Sequence, residues 1–169
     1  YLLSVIVTKA SGMNTKAFAE TYLFDPMKIT VGGWDRDPQG YYMGGNNLAL
    51  KPSDMLKIGQ MLLDGGEYEG QYIIPIEWII DSFGTYTYSN YNPYGYGYQW
   101  WNIETADYTT LFAWGHGGQY IMMIPELDAV VVMTSSVTSE SRRRTYKRPV
   151  FVLLEDHIIP FLESRKEMN

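Results

Sequence analysis

The chain has 169 residues, 46% of them apolar and 19% charged, which supplies material for one compact core or two small ones and excludes a disordered or collagen-like chain. No run of about eighteen apolar residues is present, so the sequence offers no membrane-spanning helix, and its first residues do not read as a signal peptide. Thirteen Lys and Arg against nineteen Asp and Glu give a net charge of −6, with ten acidic and no basic residues over 58–141, which argues against a nucleic-acid groove there, while the absence of Cys excludes disulfides, zinc–thiolate sites and cysteine nucleophiles.

The elements follow in chain order. Residues 1–10 form an apolar run already in mid-element, broken by Ser11-Gly12 as at a helix end. Asn14 can cap a second helix over about 14–24, which must stop before Pro26 because the residue preceding proline resists helical geometry. From Ile29 to Asn47 the abundance of Gly, Asp, Asn and Pro predicts an ordered loop with several positive-φ positions. Pro52 then suits a first helical position, Ser53 and Asp54 suit the first turn, and Met55, Ile58, Gly59 and Leu62 keep helical spacing up to Gly65-Gly66. A short extended piece at Gln71–Ile74 precedes another proline-started helix over 75–82.

After Phe83 the period changes. Aromatic residues recur at every second position from Tyr94 through Trp100, a strand signature, and Leu111–Trp114, Tyr120–Ile124 and Ala129–Thr134 are short and β-rich. The Pro125–Asp128 segment suits a tight hairpin turn. Three or four antiparallel strands are therefore expected. A closing helix over about 146–164 presents Val150, Leu153, Leu154, His157, Ile158 and Phe161 on one face, with Pro160 as a bend. The order predicts an α+β protein, mainly helical over 1–83 and composed of antiparallel strands with a closing helix over 84–169.

Candidate chemistry centres on His116, flanked by glycines in Trp114-Gly-His-Gly-Gly-Gln-Tyr120. Glycines leave the backbone open to a ligand, the imidazole can donate to an anion or carbonyl, and main-chain amides can hold an oxyanion; a tight turn with the histidine facing water accounts for the same residues. His157, among apolar residues in a helix, reads as structural. With the two histidines far apart and no Cys, no metal-ligand spacing exists, and no metal or cofactor is predicted. Asp35 and Asp37 around Arg36, and the Asp64, Glu67 and Glu69 cluster, read as solvated turns rather than a glycosidase pair. The basic run Arg142–Arg148 reads as a solvated connector rather than a phosphate site. No Ser-x-x-Lys or Gly-x-Ser-x-Gly pattern occurs, so no recognisable serine nucleophile is present.

Four separated segments, Asn47–Gly66, Gly70–Trp78, Tyr96–Trp101 and Gly115–Glu126, together resemble the serine β-lactamase-related family. That family comprises class C β-lactamases, D-alanyl-D-alanine carboxypeptidases, related esterases and amide hydrolases of the 6-aminohexanoate-dimer type. The resemblance implies a β-lactamase/transpeptidase-like fold and hydrolysis of an amide or ester through a serine acyl-enzyme. Of the family's three motifs, His116-Gly117-Gly118 matches the third, which lies on an edge strand. The resemblance implies that His116 is a substrate-side donor, that Gly117 and Gly118 let substrate lie against the strand, and that the Gln119 N–H forms half of an oxyanion hole. Gly117 stands where many members have Thr, so their hydroxyl contact to a substrate carboxylate is missing. Trp100, Trp101 and the loop containing Gly45 and Asn46 are candidate cleft walls.

Tyr88-Ser89-Asn90 spells the second motif, Tyr-x-Asn, but falls after the residues it should precede and reads as coincidence. Because Tyr1-Leu-Leu-Ser-Val-Ile resembles the helix that follows that motif, the resemblance implies a C-terminal fragment, catalytically incomplete by itself. It further implies a small-molecule or peptide substrate for the parent protein, export to the periplasm, cell envelope or exterior, and an exposed Ala129–Thr134 edge that favours dimers. The competing expectation is a non-catalytic module that binds cell-wall glycan, peptide or a protein partner through its Tyr/Trp surface.

Overall fold

The computed structural model describes residues 1–136 and 147–166. Helix α1 (Leu2–Ser11) ends where Gly12 adopts φ 72° and donates its N–H to Thr8 O at 3.1 Å, the left-handed cap that glycine accepts without a Cβ penalty. Asn14 caps α2 (Thr15–Ala19) by accepting from Ala17 N at 2.9 Å. The helix widens into a π-turn over Glu20–Phe24, which stops before Pro26 as expected. The glycine-rich loop carries a two-residue strand β1 (Gly33–Trp34) paired with β2 (Leu48–Ala49). Within 29–47 only Gly40 and Asn47 have positive φ, fewer than the composition suggests, because side-chain bonds set the remaining bends. Asp37 accepts from Tyr41 N at 2.9 Å, and Asn47 Nδ2 donates to Asp35 at 2.9 Å.

Helix α3 (Pro52–Leu63) has Pro52 in its first turn and Asp54 beside it, as the sequence predicts. A small ribbon of β3 (Glu67–Tyr68) and β4 (Gln71–Tyr72) leads to α4 (Ile76–Phe83). Pro75 is the extended residue before α4 rather than its first helical one, with φ −60° and ψ 137°.

The sheet has six strands, not three or four, all antiparallel: β5 (Thr87–Tyr88), β6 (Gly95–Tyr96), β7 (Trp101–Thr105), β8 (Tyr108–Gly115), β9 (Gln119–Ile124) and β10 (Ala129–Met133). Each pairs with its neighbour in sequence. The alternating aromatics of 94–101 are not one strand. They fold into the β6–β7 hairpin, with Gly97 N donating to Trp100 O at 2.8 Å and Tyr96 opposite Trp101. Between β7 and β8 a two-residue turn places Ala106 and Asp107 at φ 49° and 68°, the double positive-φ geometry that matches strand twist.

Pleating sorts β8 and β9 between two cores. Leu111 and Met123 join Phe24, Met27, Met61, Leu62 and Ile79, while Phe112, Tyr120, Met122 and Ile124 join Leu154 and Ile159 of the closing helical segment. Helix α3 rests directly on the sheet, since a Cβ on Gly59 would stand 2.5 Å from Val130 Cγ1 and 3.0 Å from Ile121 Cγ2.

The closing segment is α5 (Lys147–Leu153), a π-turn over Leu154–Ile158 and α6 (Ile159–Lys166). Ile159 N donates to Leu154 O, and this wider turn precedes Pro160, whose ring an ordinary helix interior would not accommodate. The extra residue rotates the buried face. Leu154 and Ile159 are fully buried, whereas Leu153, His157 and Phe161 of the expected stripe are exposed. The outer edge of β10 has no partner among the described residues. No helix among them is long and apolar enough to cross a membrane. The side chains of Arg142–Arg148 lie outside the described residues.

Candidate functional site

An open cavity of about 420 Å³ lies where α1, the loop after β1, α3 and strands β6–β9 meet. Its walls come from Leu3, Gly44, Gly45, Met55, Tyr96, Gln99, Trp101, Ala113, Trp114, Gly115, Gln119 and Ile121. Among the described residues no charged side chain lines it. The fold therefore brings three of the sequence candidates, Gly45, Trp101 and Gln119, to one place.

His116, Gly117 and Gly118 form the turn between Gly115 of β8 and Gln119 of β9, both on the cavity wall. The histidine is exposed and the two glycines are buried. The motif is thus a hairpin turn between two strands with neighbours on both sides, not a stretch of edge strand, because Gly117 and Gly118 take φ 83° and 91°, where strand geometry cannot continue. Ser135 fixes this turn: its hydroxyl donates to Gly117 O, and its carbonyl accepts from Gln119 Nε2 at 2.6 Å. A Cβ on Gly115 would stand 3.1 Å from Gln119 Cβ, so this glycine makes room for the Gln119 side chain.

The loop wall is fixed by α1. Buried Ser4 bonds Tyr42 O at 2.7 Å, and Gly44 packs so closely that a Cβ there would be 2.8 Å from Ser4 Cβ. With its hydroxyl engaged by Tyr42 O and Tyr1 O, Ser4 is a structural serine. Trp34 Nε1 donates to Met43 O at 2.9 Å, and the Arg36 guanidinium lies 4.5 Å from the Tyr42 ring centre while bonding its hydroxyl. Asn46 is exposed beside Gly45 but does not line the cavity.

Trp100 is the sequence candidate that the fold sends elsewhere. It packs edge-on to Phe83 at 5.5 Å and joins the α3-side core, while Trp101, one pleat away, contacts the Tyr96 ring at 4.3 Å at the cavity. Trp100 precedes β7, and its ring is taken up by Phe83 rather than by the cavity. Tyr88-Ser89-Asn90 runs from β5, the far edge strand, into the following loop, and Tyr88 is exposed. The carboxylates weighed as acid–base groups hold structure: Asp64 accepts from Gln60 Nε2 at 2.9 Å, and Glu69 is paired with Lys28. That pairing holds the Glu69 carboxyl below its usual range and the Lys28 ammonium above its own.

Tyr96 and Gln99 are cavity residues that the sequence did not single out. The Tyr96 hydroxyl donates to Gln99 Oε1 at 3.3 Å, burial raises the Tyr96 pKa, and Gln99 holds the turn at φ 71°. The non-glycine positive φ is visible only in the folded chain.

The turn geometry makes a prediction about a Thr at position 117. A β-branched residue resists a φ of 83°, so Gly117→Thr is expected to lose about 1–2 kcal/mol. Gly117→Asn, which tolerates the left-handed region, should lose clearly less. Thermal melts of the two variants check the order, and equal melting temperatures would refute it.

The chain has a β-lactamase/transpeptidase-like fold. It is similar to a Bacillus anthracis protein named for 6-aminohexanoate-dimer hydrolysis, with a TM-score of 0.70, 20% identity, and coverage of 91% of this chain and 42% of that one. It is also similar to an octameric penicillin-binding protein homologue from Pyrococcus abyssi, with a TM-score of 0.57, 19% identity, and coverage of 74% of this chain and 34% of that one. The chain thus spans less than half the length of either. No protein-family model and no curated protein matches the sequence.

Proposed function

We propose that this chain is the C-terminal part of a serine hydrolase that cleaves an amide or ester through an acyl-enzyme, with the Ser-x-x-Lys and Tyr-x-Asn groups supplied by residues upstream of Tyr1. The observation that supports this reading is the cavity itself, which gathers Gly115 and Gln119, the residues on either side of the His-Gly-Gly turn, with Trp101, Gly45 and Leu3 of α1 around one space. The upstream serine oxygen attacks the substrate carbonyl as its proton passes to the upstream Lys or Tyr acting as base, and the carbon–oxygen double bond opens to an oxyanion. The Gln119 N–H, paired with that of the nucleophile, holds the developing charge. Collapse expels the amine or alcohol with a proton from the upstream acid, and water then repeats the sequence to release the acid. His116 donates from the substrate side, and Trp101 forms an apolar wall.

Two measurements test this reading. Sequencing upstream of Tyr1 in the native protein should reveal Ser-x-x-Lys followed by Tyr-x-Asn. A chain extended to include them should take up a fluorophosphonate stoichiometrically, while the 169-residue chain takes up none. A native N-terminus at Tyr1, or labelling of the short chain, would overturn it.

The open β10 edge, with Val130, Val131 and Val132 half-buried on it, favours strand pairing between copies of this chain. Sedimentation should give a dimer at high micromolar concentration, and a monomer would argue against the pairing. A binding module is the second reading, favoured by one feature: Tyr98 sits between Tyr86, parallel within 8° at 4.9 Å, and Trp78 at 5.4 Å. Both outer rings are more than half exposed. This reading gains if the native chain begins at Tyr1.

A further inference from the structure

Two glutamines face the same cavity, and each is already committed at one end of its amide. Gln119 Nε2 donates to the Ser135 carbonyl at 2.6 Å; a carbonyl only accepts, so the orientation of this amide is fixed, with Oε1 and the second Nε2 hydrogen left for a ligand. Gln99 accepts the Tyr96 hydroxyl through Oε1 at 3.3 Å, which leaves Nε2 as a donor. Gln99 sits at the tip of the β6–β7 hairpin at φ 71°, a conformation that costs a non-glycine residue energy and is characteristic of binding rims. The hairpin pins it there through Gln99 N to Gly97 O at 3.0 Å and Gly97 N to Trp100 O at 2.8 Å. The cavity therefore offers the Gln119 acceptor, oriented by Ser135, and the Gln99 donor against walls of Leu3, Met55 and Trp101. Among the described residues it offers no cation to balance a carboxylate.

We infer that this cavity recognises an uncharged secondary amide, with Gln99 Nε2 donating to its carbonyl oxygen and Gln119 Oε1 accepting its N–H. Resting on the hydrolase reading, the inference deepens it: the scissile carbonyl belongs to the Gln119 main-chain N–H, so the recognised amide is a second one in the substrate. The substrate class is a chain carrying at least two amide groups, the second of them uncharged. An ester at that position presents an oxygen where the N–H should be, leaving two acceptors face to face and the Gln119 acceptor without a proton.

The test is a titration of the 169-residue chain with N-butylacetamide, its ester isostere butyl acetate, and the anion N-acetylglycine, following the side-chain NH2 resonances of Gln99 and Gln119. N-butylacetamide should shift both and saturate, and butyl acetate should bind about fivefold more weakly, the worth of one net neutral hydrogen bond. N-acetylglycine should bind more weakly than the neutral amide. Gln119→Met should bring amide and ester to within about twofold; if that variant fails to fold, Gln99→Met, which removes the donor to the carbonyl that both ligands carry, should weaken the two alike by about fivefold. Equal binding of amide and ester, binding of the anion as tight as that of the amide, an undiminished preference in folded Gln119→Met, or undiminished binding in folded Gln99→Met would overturn the inference. A preference without fluorophosphonate labelling of the extended chain leaves the inference standing and removes the hydrolase reading; labelling without a preference does the reverse.

Discussion

Gly97→Ala is expected to lose about 3 kcal/mol or more of stability, read as a fall in urea midpoint at unchanged slope. An added Cβ would stand 2.1 Å from Ser82 O and 2.5 Å from Gly84 O. Both are backbone atoms at the end of α4, so no side-chain rotation relieves the overlap. Withdrawal of the hairpin would also break the bond from Tyr98 N to Ser82 O at 2.9 Å, adding about 1 kcal/mol to the overpacking cost. Since the same hairpin carries Gln99 to the cavity, amide binding should weaken in this variant even where it remains folded. A loss below about 1 kcal/mol would mean that α4 and the hairpin separate freely, contrary to the packing described.

Phe112→Ala should cost about 3–5 kcal/mol and lower the melting temperature by about 10 °C. Phe112 has no exposed surface and is the hub of an aromatic cluster, meeting Tyr94 edge-on at 5.3 Å, Phe151 at 5.6 Å and Tyr120 at 6.2 Å. Truncation therefore leaves a void walled by rings that cannot collapse without moving α5. Phe112→Leu, which keeps most of the volume, should cost less than half as much. Calorimetry that found the two variants equal would mean that the cluster repacks.

The helices were the legible part of this chain. Pro52, Ser53 and Asp54 mark the start of α3, and Ser11-Gly12 marks the end of α1, because caps and first turns depend on residues adjacent in sequence. The strands were harder to read. Ala106 and Asp107 turn β7 into β8 with both φ positive, yet neither is the glycine or asparagine that announces such a turn. The aromatic alternation of 94–101 mimics one strand, and only the pressing of Gly97 against the end of α4 explains the reversal within it. In the closing segment, the π-turn rotates the buried stripe by one residue, a change with no local composition signal.

At the site, Gly45, Trp101 and Gln119 were legible through the family resemblance, and they do share a cavity. Trp100 was not separable from Trp101 in the sequence, because what takes Trp100 away from the cavity is its packing on Phe83, seventeen positions earlier. Leu3, Met55, Tyr96 and Gln99 join that cavity from a helix, another helix and a hairpin, and nothing in their own neighbourhoods points to it. Long-range packing brings them together, and sequence spacing does not encode it.

The order of the six-stranded sheet bears on how the chain folds. Every strand hydrogen-bonds only to strands next to it in sequence, so each pairing closes a short loop at small entropic cost. The sheet can zip hairpin by hairpin from either end. The contacts of α3 with β9 and β10, and of Phe24 and Met27 with Leu111 and Met123, join residues far apart in the chain, and such closures are the slow ones. The Met55 wall of the cavity therefore exists only once α3 has reached the sheet, after the hairpins beneath it have formed.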